Sequence, residues 1–211
     1  MLNTTKQYAL IRDLNGTSYL GGDIPEEFKI PENNCPGSFQ YLGFLSKEDK
    51  GFSLLQHSLH LICPIYMNID KVWLDYSNPL SPTIINLDEI NTIDTAYDDL
   101  TDDSIIIYEK VNFVTTAIGA SSNHRLGISG KPNWIQDEDI PKCPKTNEKM
   151  KFLCQIEYQY SDDIKTKYTN VSPEDEWYKQ YFETMNFWSD GDLYIFFAPE
   201  SNIACYFIQN T

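Results

Sequence analysis

Leu59-His60-Leu61-Ile62-Cys63-Pro64, followed by Asn68-Ile69 and Trp73, returns near the end of the chain. There it reads Leu193-Tyr194-Ile195-Phe196-Phe197-Ala198, followed by Asn202-Ile203 and Phe207. Leu59, Leu61 and Cys63 alternate with a period of two, the spacing of residues that share one face of a strand. Upstream of each copy comes a Gly/Pro turn (Gly21-Gly22-Asp23-Ile24-Pro25; Gly130-Lys131-Pro132) and then a Cys-Pro pair (Cys35-Pro36; Cys143-Pro144). A short apolar stretch carrying Gln completes each set: Phe39-Gln40-Tyr41-Leu42 and Phe152-Leu153-Cys154-Gln155-Ile156. Four features in one order, twice, imply an α+β, strand-dominated and internally duplicated domain with few helices. It would span 1–211, with one β-rich half at 1–116 and a related one at 117–211.

Working outward, Tyr8-Ala9-Leu10-Ile11-Arg12 reads as a short strand, and Asn15-Gly16 is a turn signal. The Pro, Gly and Asn of residues 21–37 predict an ordered surface loop. Phe39–Leu45 follows as a core strand. Leu54–Ile65 and Asn68–Tyr76 are expected to pair as a hairpin. Residues 105–116 read as one strand, Met150–Tyr160 as another, and Leu193–Gln209 as the final hairpin. Pro173-Glu174-Asp175-Glu176 suits a helix start with Ser172 as its N-cap, running to Met185.

The chain has 211 residues, 41% of them hydrophobic and 14% aromatic, which fits a packed globular protein. Its 14 Tyr and 11 Phe favour pleated surfaces over helices. No stretch approaches the roughly 20 apolar residues that span a bilayer, so no membrane association is expected. The N-terminus lacks the charged-then-apolar layout of a secretory signal, and a cytoplasmic location is the expectation. With 31 acidic against 16 basic residues the formal charge is −15. Such a surface repels phosphate backbones, which argues against nucleic acid, and attracts a basic protein partner. The acids concentrate at Asp88, Glu89, Asp94, Asp98, Asp99, Asp102 and Asp103, with a second group at Asp137-Glu138-Asp139.

Motifs for chemistry are sparse. Five scattered cysteines without a C-x-x-C pair argue against a disulfide framework. Cys63, Cys154 and Cys205 lie in apolar runs and read as small core residues. Cys143-Pro144-Lys145-Thr146 would be half a zinc knuckle if Thr146 were Cys; as it stands, no metal or other cofactor is implied. His57 and His60 flank a strand start without the spacing of a shared metal site, and His124-Arg125 lies in a Gly/Ser loop. Asp190-Gly191-Asp192 lacks the later carboxylate of a calcium loop and reads as a hairpin turn. No phosphate-binding loop, nucleophile elbow or dinucleotide fingerprint is present, so no catalytic residue is assigned.

Gly130-x-Pro132-x-Trp134-Ile135-Gln136, Cys143-Pro144, Met150-x-Phe152-Leu153-x-Gln155-Ile156 and Trp188-Ser189-Asp190-Gly191-Asp192-Leu193-Tyr194-Ile195-Phe196-Phe197 together resemble the YwqG-like bacterial proteins. The first half resembles the pattern less closely, through Gly21-Gly22-x-x-Pro25 and its later strands. The resemblance implies a strand-dominated α+β fold built on an internal repeat. It carries no catalytic residues over, and it implies an immunity role, since some members look like neighbours of toxin genes.

Two functions follow as expectations. The first is a non-enzymatic acidic module that binds a basic partner, most simply an immunity protein neutralising a toxin. It would use the two acidic segments, with exposed Tyr or Trp as anchors. The second is a small-molecule binder or enzyme with a cleft between the two repeats, lined by His124, Trp134, Gln136 and Gln155.

Overall fold

Runs of apolar residues buried on both sides need a protein layer on each face, and the last hairpin shows how this chain supplies them. The computed structural model describes residues 6–34, 36–93, 100–101, 103–118, 125–158 and 164–211. In its C-terminal hairpin, β12 (Asp192–Ala198) and β13 (Ile203–Gln209), Leu193, Ile195, Phe197, Ala204 and Tyr206 face the main core. Tyr194, Phe196, Ile203, Cys205 and Phe207 face a second apolar layer. That layer is closed by a strap from residues 130–140, whose Trp134 stacks on Tyr194 at 5.1 Å between ring centroids. Without the strap, the second face would expose a broad aromatic patch.

The remaining strands are β1 (Tyr8–Arg12), β2 (Ser18–Leu20), β3 (Phe39–Leu45), β4 (Leu59–Pro64), β5 (Val72–Asp75) and β6 (Thr83–Ile84). They continue with β7 (Ile106–Tyr108), β8 (Val111–Ala117), β9 (Arg125–Ser129), β10 (Lys151–Ile156) and β11 (Thr166–Thr169). Two one-turn helices, α1 (Leu87–Ile90) and α2 (Glu176–Lys179), and short 3-10 turns complete the described elements. Eleven strands form one antiparallel sheet in the order β4-β3-β2-β8-β1-β9-β10-β12-β13-β5-β6, while β11 and β7 pair separately. The large sheet rolls round its core. Tyr76, just beyond β5, donates its hydroxyl to the His60 carbonyl of β4 at 2.8 Å, although β4 lies at the opposite end of the strand order. No helix among the described residues is long and apolar enough to cross a membrane.

The strand-dominated α+β expectation holds. β3 skips Leu42 against β4, and β10 skips Leu153 against β12, but β4 ends the strand order while β12 lies between β10 and β13. Three local expectations are corrected. Asn68–Tyr76 does not pair with Leu54–Ile65, because β5 lies between β13 and β6. β4 is an edge strand carrying Pro64, where β12 has Ala198, and proline lacks the N–H a central ladder needs. Residues 105–116 split at Glu109-Lys110 into β7 and β8, which join different sheets. The helix expected over 173–185 is only α2 plus a 3-10 turn at Gln180–Phe182. It is capped by Asp175, which accepts from the Trp177 N–H, and not by Ser172. Aromatic side chains lower helix propensity, and here Phe182 packs against Tyr66 while Trp177 lies edge-on to Tyr181.

Candidate functional site

Of the predicted acidic residues, Asp94, Asp98, Asp99 and Asp102 lie outside the described residues, as do His124 and Cys35. Asp88 and Glu89 form the exposed first turn of α1. Asn86 precedes them and donates to the Lys71 carbonyl at 2.8 Å and to the Glu89 carboxylate at 3.0 Å. The Lys71 ammonium reaches Asp139 at 2.7 Å and Asp70 at 2.9 Å, and it lies over the Phe207 ring. Lys71 thus joins the 88–89 and 137–139 segments, which are far apart in sequence. Burial pulls its ammonium down, but the hydrogen bonds to Asp139 and Asp70 outweigh this and raise its pKa above the ordinary lysine value. Asp137 and Glu138 are exposed beside it, with the Asp137 carbonyl held by Gln209. Asp103 stands apart, next to β7, where its carbonyl accepts from Asn170. Among the described residues the most exposed aromatic is Trp177, 59% accessible, and it lies directly after Glu174-Asp175-Glu176.

Trp134, Gln136 and Gln155 do come together, but as the fastening of the strap. Gln155 is fully buried, accepts from the Asn133 N–H (2.8 Å), and donates to the Asn133 carbonyl (2.9 Å) and to Asp192 (2.7 Å). Gln136 bonds the C-terminal strand through Gln209 and Asn210. Burial raises the pKa of Asp192, although the Tyr158 N–H and Gln155 both favour its charged form.

A cavity of about 480 Å3 opens between residues 6–54 and 130–152, and its described lining includes none of the residues expected to line a cleft. Lys6, Tyr8, Lys50 and Leu54 line it from the first half, and Gly130, Lys151 and Phe152 from the second. The fold fixes its floor closely. Asp49 accepts from the Thr115 N–H at 3.1 Å and from the Thr115 hydroxyl, which pins the 3-10 turn Lys50–Phe52 to β8. Phe52 is buried edge-on against Phe113. Gly130 has φ +87°, and a Cβ there would meet the Lys6 carbonyl at 2.0 Å, so only glycine lets the strap leave β9 this close to β1. Behind Gly51, the Ser129 hydroxyl is buried without a hydrogen-bond partner among the described residues. The only sequence signal was the pair of glycines beside lysines (Lys50-Gly51, Gly130-Lys131), a pattern too common to select.

A larger cavity of about 660 Å3 lies wholly within the first half, between the loop from Asp23 to Asn33, the start of β3 and β7. Its walls are apolar: Ile24, Ile30, Phe39 and Ile106, with the Tyr41 ring. Behind it Tyr41 bridges Tyr19 (3.1 Å) and His60 Nδ1 (2.8 Å). Burial lowers the His60 pKa and raises that of Tyr41, so both stay neutral and the chain of hydroxyls reads as a satisfied core network.

Cys63, Cys154 and Cys205 are buried free thiols, as expected of core residues. Cys143 is also buried, in a tight loop where Asn147 N–H donates to its carbonyl and its Sγ lies 3.2 Å from Ser201 Oγ. Burial would raise this thiol, but hydrogen bonds from Ser201, Thr146 and Lys145 bring it below the ordinary value. Thr146 supplies a hydroxyl where a zinc knuckle would place its second sulfur, and no group of metal-ligating side chains occurs among the described residues. In comparisons with known proteins, no family model, curated protein or solved structure matches the chain significantly.

Proposed function

We propose that this chain is a non-enzymatic acidic module that binds a basic protein, acting as an immunity protein that neutralises a toxin by direct contact. The proposal includes the duplicated scaffold, two related halves at 1–116 and 117–211, and kinship with the YwqG-like proteins. One observation carries it: Lys71 pairs with Asp70 and Asp139, and its carbonyl accepts from Asn86, which also donates to Glu89, so the segments bearing Asp88, Glu89, Asp137 and Glu138 meet at one place. Charges spaced within about one Debye length, ~8–10 Å, act on a partner as one field. Such a field raises the rate of encounter with a basic surface more than it raises final affinity. The Lys71 ammonium is mostly buried, so the outward field of the patch is negative.

The test is co-expression with the product of the adjacent gene in a growth assay, beside the variant Asp88→Lys/Glu89→Lys/Glu138→Lys. These three side chains are exposed and none pairs with Lys71, so folding is expected to survive. Growth protection by the native chain, lost in the variant together with salt-sensitive association, supports the reading. Absence of protection, or protection indifferent to the three reversals, overturns it.

A further inference from the structure

The junction cavity goes beyond an acidic protein-binding surface, because its charge is of the opposite sign. Thirty-one carboxylates are available in this chain against 16 bases, yet among the described residues none of the nine lining the cavity is acidic and three are lysines. Lys6 immediately precedes β1, Lys50 comes from the pinned 3-10 turn and Lys151 from the start of β10. None of the three is ion-paired among the described residues, whereas Lys71, Lys145, Lys167, Lys179 and Arg125 all are. The nearest carboxylate in sequence, Asp49, is turned to Thr115 and Ser18. Three lysines on the wall of one concavity, with no carboxylate beside them in its described lining, make it attractive to an anion.

We propose that this cavity binds a small phosphorylated molecule with an apolar or aromatic portion, its phosphate held by Lys6, Lys50 and Lys151. The walls supply the second half of that description. Phe152 is buried against Phe196 with its ring edge-on, and Leu54 and Tyr8 add partly exposed apolar surface. Tyr8 and Ser53 add hydroxyls to the lining. The volume of about 480 Å3 falls within the roughly 300–1,000 Å3 usual for small-ligand sites. Size also decides between a small phosphate and a nucleic acid. A ligand confined to the cavity feels the three lysines within a Debye length of about 8–10 Å, while a long polyanion extends over a surface of net charge −15.

The experiment titrates 1-naphthyl phosphate into the full chain and follows backbone amide NMR shifts, with 1-naphthol and a short single-stranded oligonucleotide as comparisons. Shifts centred on Gly51 and Gly130, weakened by added salt, are expected. Lys50→Gln and Lys151→Gln should each weaken binding roughly twofold to fivefold, the range for exposed charge contacts. Lys179→Gln, whose side chain pairs with Glu176, should change nothing. Both tested lysines are exposed, so an unaltered thermal melt separates loss of the site from loss of the fold. The proposal is overturned if naphthyl phosphate causes no shifts there, if naphthol binds equally well, or if the double variant binds as tightly as the native chain. Tighter binding of the oligonucleotide at the same salt also overturns it.

Discussion

Gln155→Leu separates a fastening residue from a ligand-contacting one. Gln155 makes four polar contacts in a fully buried setting, to the Asn133 N–H and carbonyl, to Asp192 and, at 3.3 Å, to the Tyr194 hydroxyl. Leucine keeps most of the volume and removes all four. The bond to the Asp192 carboxylate is worth about 1.5–3 kcal/mol because its acceptor is charged. The two Asn133 bonds add about 0.5–1 kcal/mol together, a discounted figure because Asn133 is exposed and water replaces part of the loss. The expected cost is therefore about 2–4 kcal/mol, or a fall of roughly 4–16 °C in Tm at about 2–4 °C per kcal/mol for a chain of this length.

The pH dependence of that cost carries the sharper test. Burial raises the folded pKa of Asp192, so its neutral form favours the folded state. Its contribution to stability is fully present below the ordinary aspartate value, about 3.9, and is lost as pH rises through the folded value. Gln155 offsets part of that loss by bonding the charged form. Without it the folded pKa rises further, so the gap between variant and native chain should widen from pH 3.5 upward and then level off. Urea unfolding across pH 3.5–8, at low protein concentration because the sequence pI is about 4.4, measures it. A gap that stays constant over this range, or that never reaches about 1 kcal/mol, would refute the reasoning.

Ser129→Ala should leave stability unchanged or raise it by up to about 1 kcal/mol, since the buried hydroxyl has no partner among the described residues; a clear loss in a urea melt would show an unrecognised acceptor. Asp49→Ala should cost about 1–3 kcal/mol, because the Thr115 N–H and the Thr115 and Ser18 hydroxyls lose their carboxylate. It should also loosen the Lys50 turn, readable as faster amide exchange at Gly51 and Phe52; unchanged exchange there would count against the pinning role. Lys71→Met should cost on the order of 1 kcal/mol at low salt, since Asp70 and Asp139 remain hydrated while losing the ammonium that pairs with both. Added salt should recover most of this, and a salt-independent loss would mean that packing over Phe207 dominates.

Much of the scaffold was legible from residue order. The apolar run Leu193–Phe197, after the Trp188–Asp192 turn and with Asn202-Ile203 following, identified the β12–β13 hairpin, and Cys63, Cys154 and Cys205 declared themselves as core by their apolar neighbours. Pro64 at the position equivalent to Ala198 marked β4 as an edge, a signal present in the sequence that the resemblance of the two stretches overrode. The acidic segments were also plain, but their meeting across about fifty residues of sequence was not.

Local order thus settled the longer core strands β1, β3, β4, β10, β12 and β13 and where the negative charge resides, because both depend on the character of adjacent side chains. Only the rolled sheet decided that β5 joins β13, that Lys71 pairs with Asp139 while its carbonyl holds Asn86 beside Glu89, and that Lys6, Lys50 and Lys151 line one cavity. Pairing between distant strands is selected by burial and by completion of the hydrogen-bond ladder across the whole sheet. Exposed charges have no periodicity of their own, so their convergence is a consequence of that pairing and leaves no mark in the sequence.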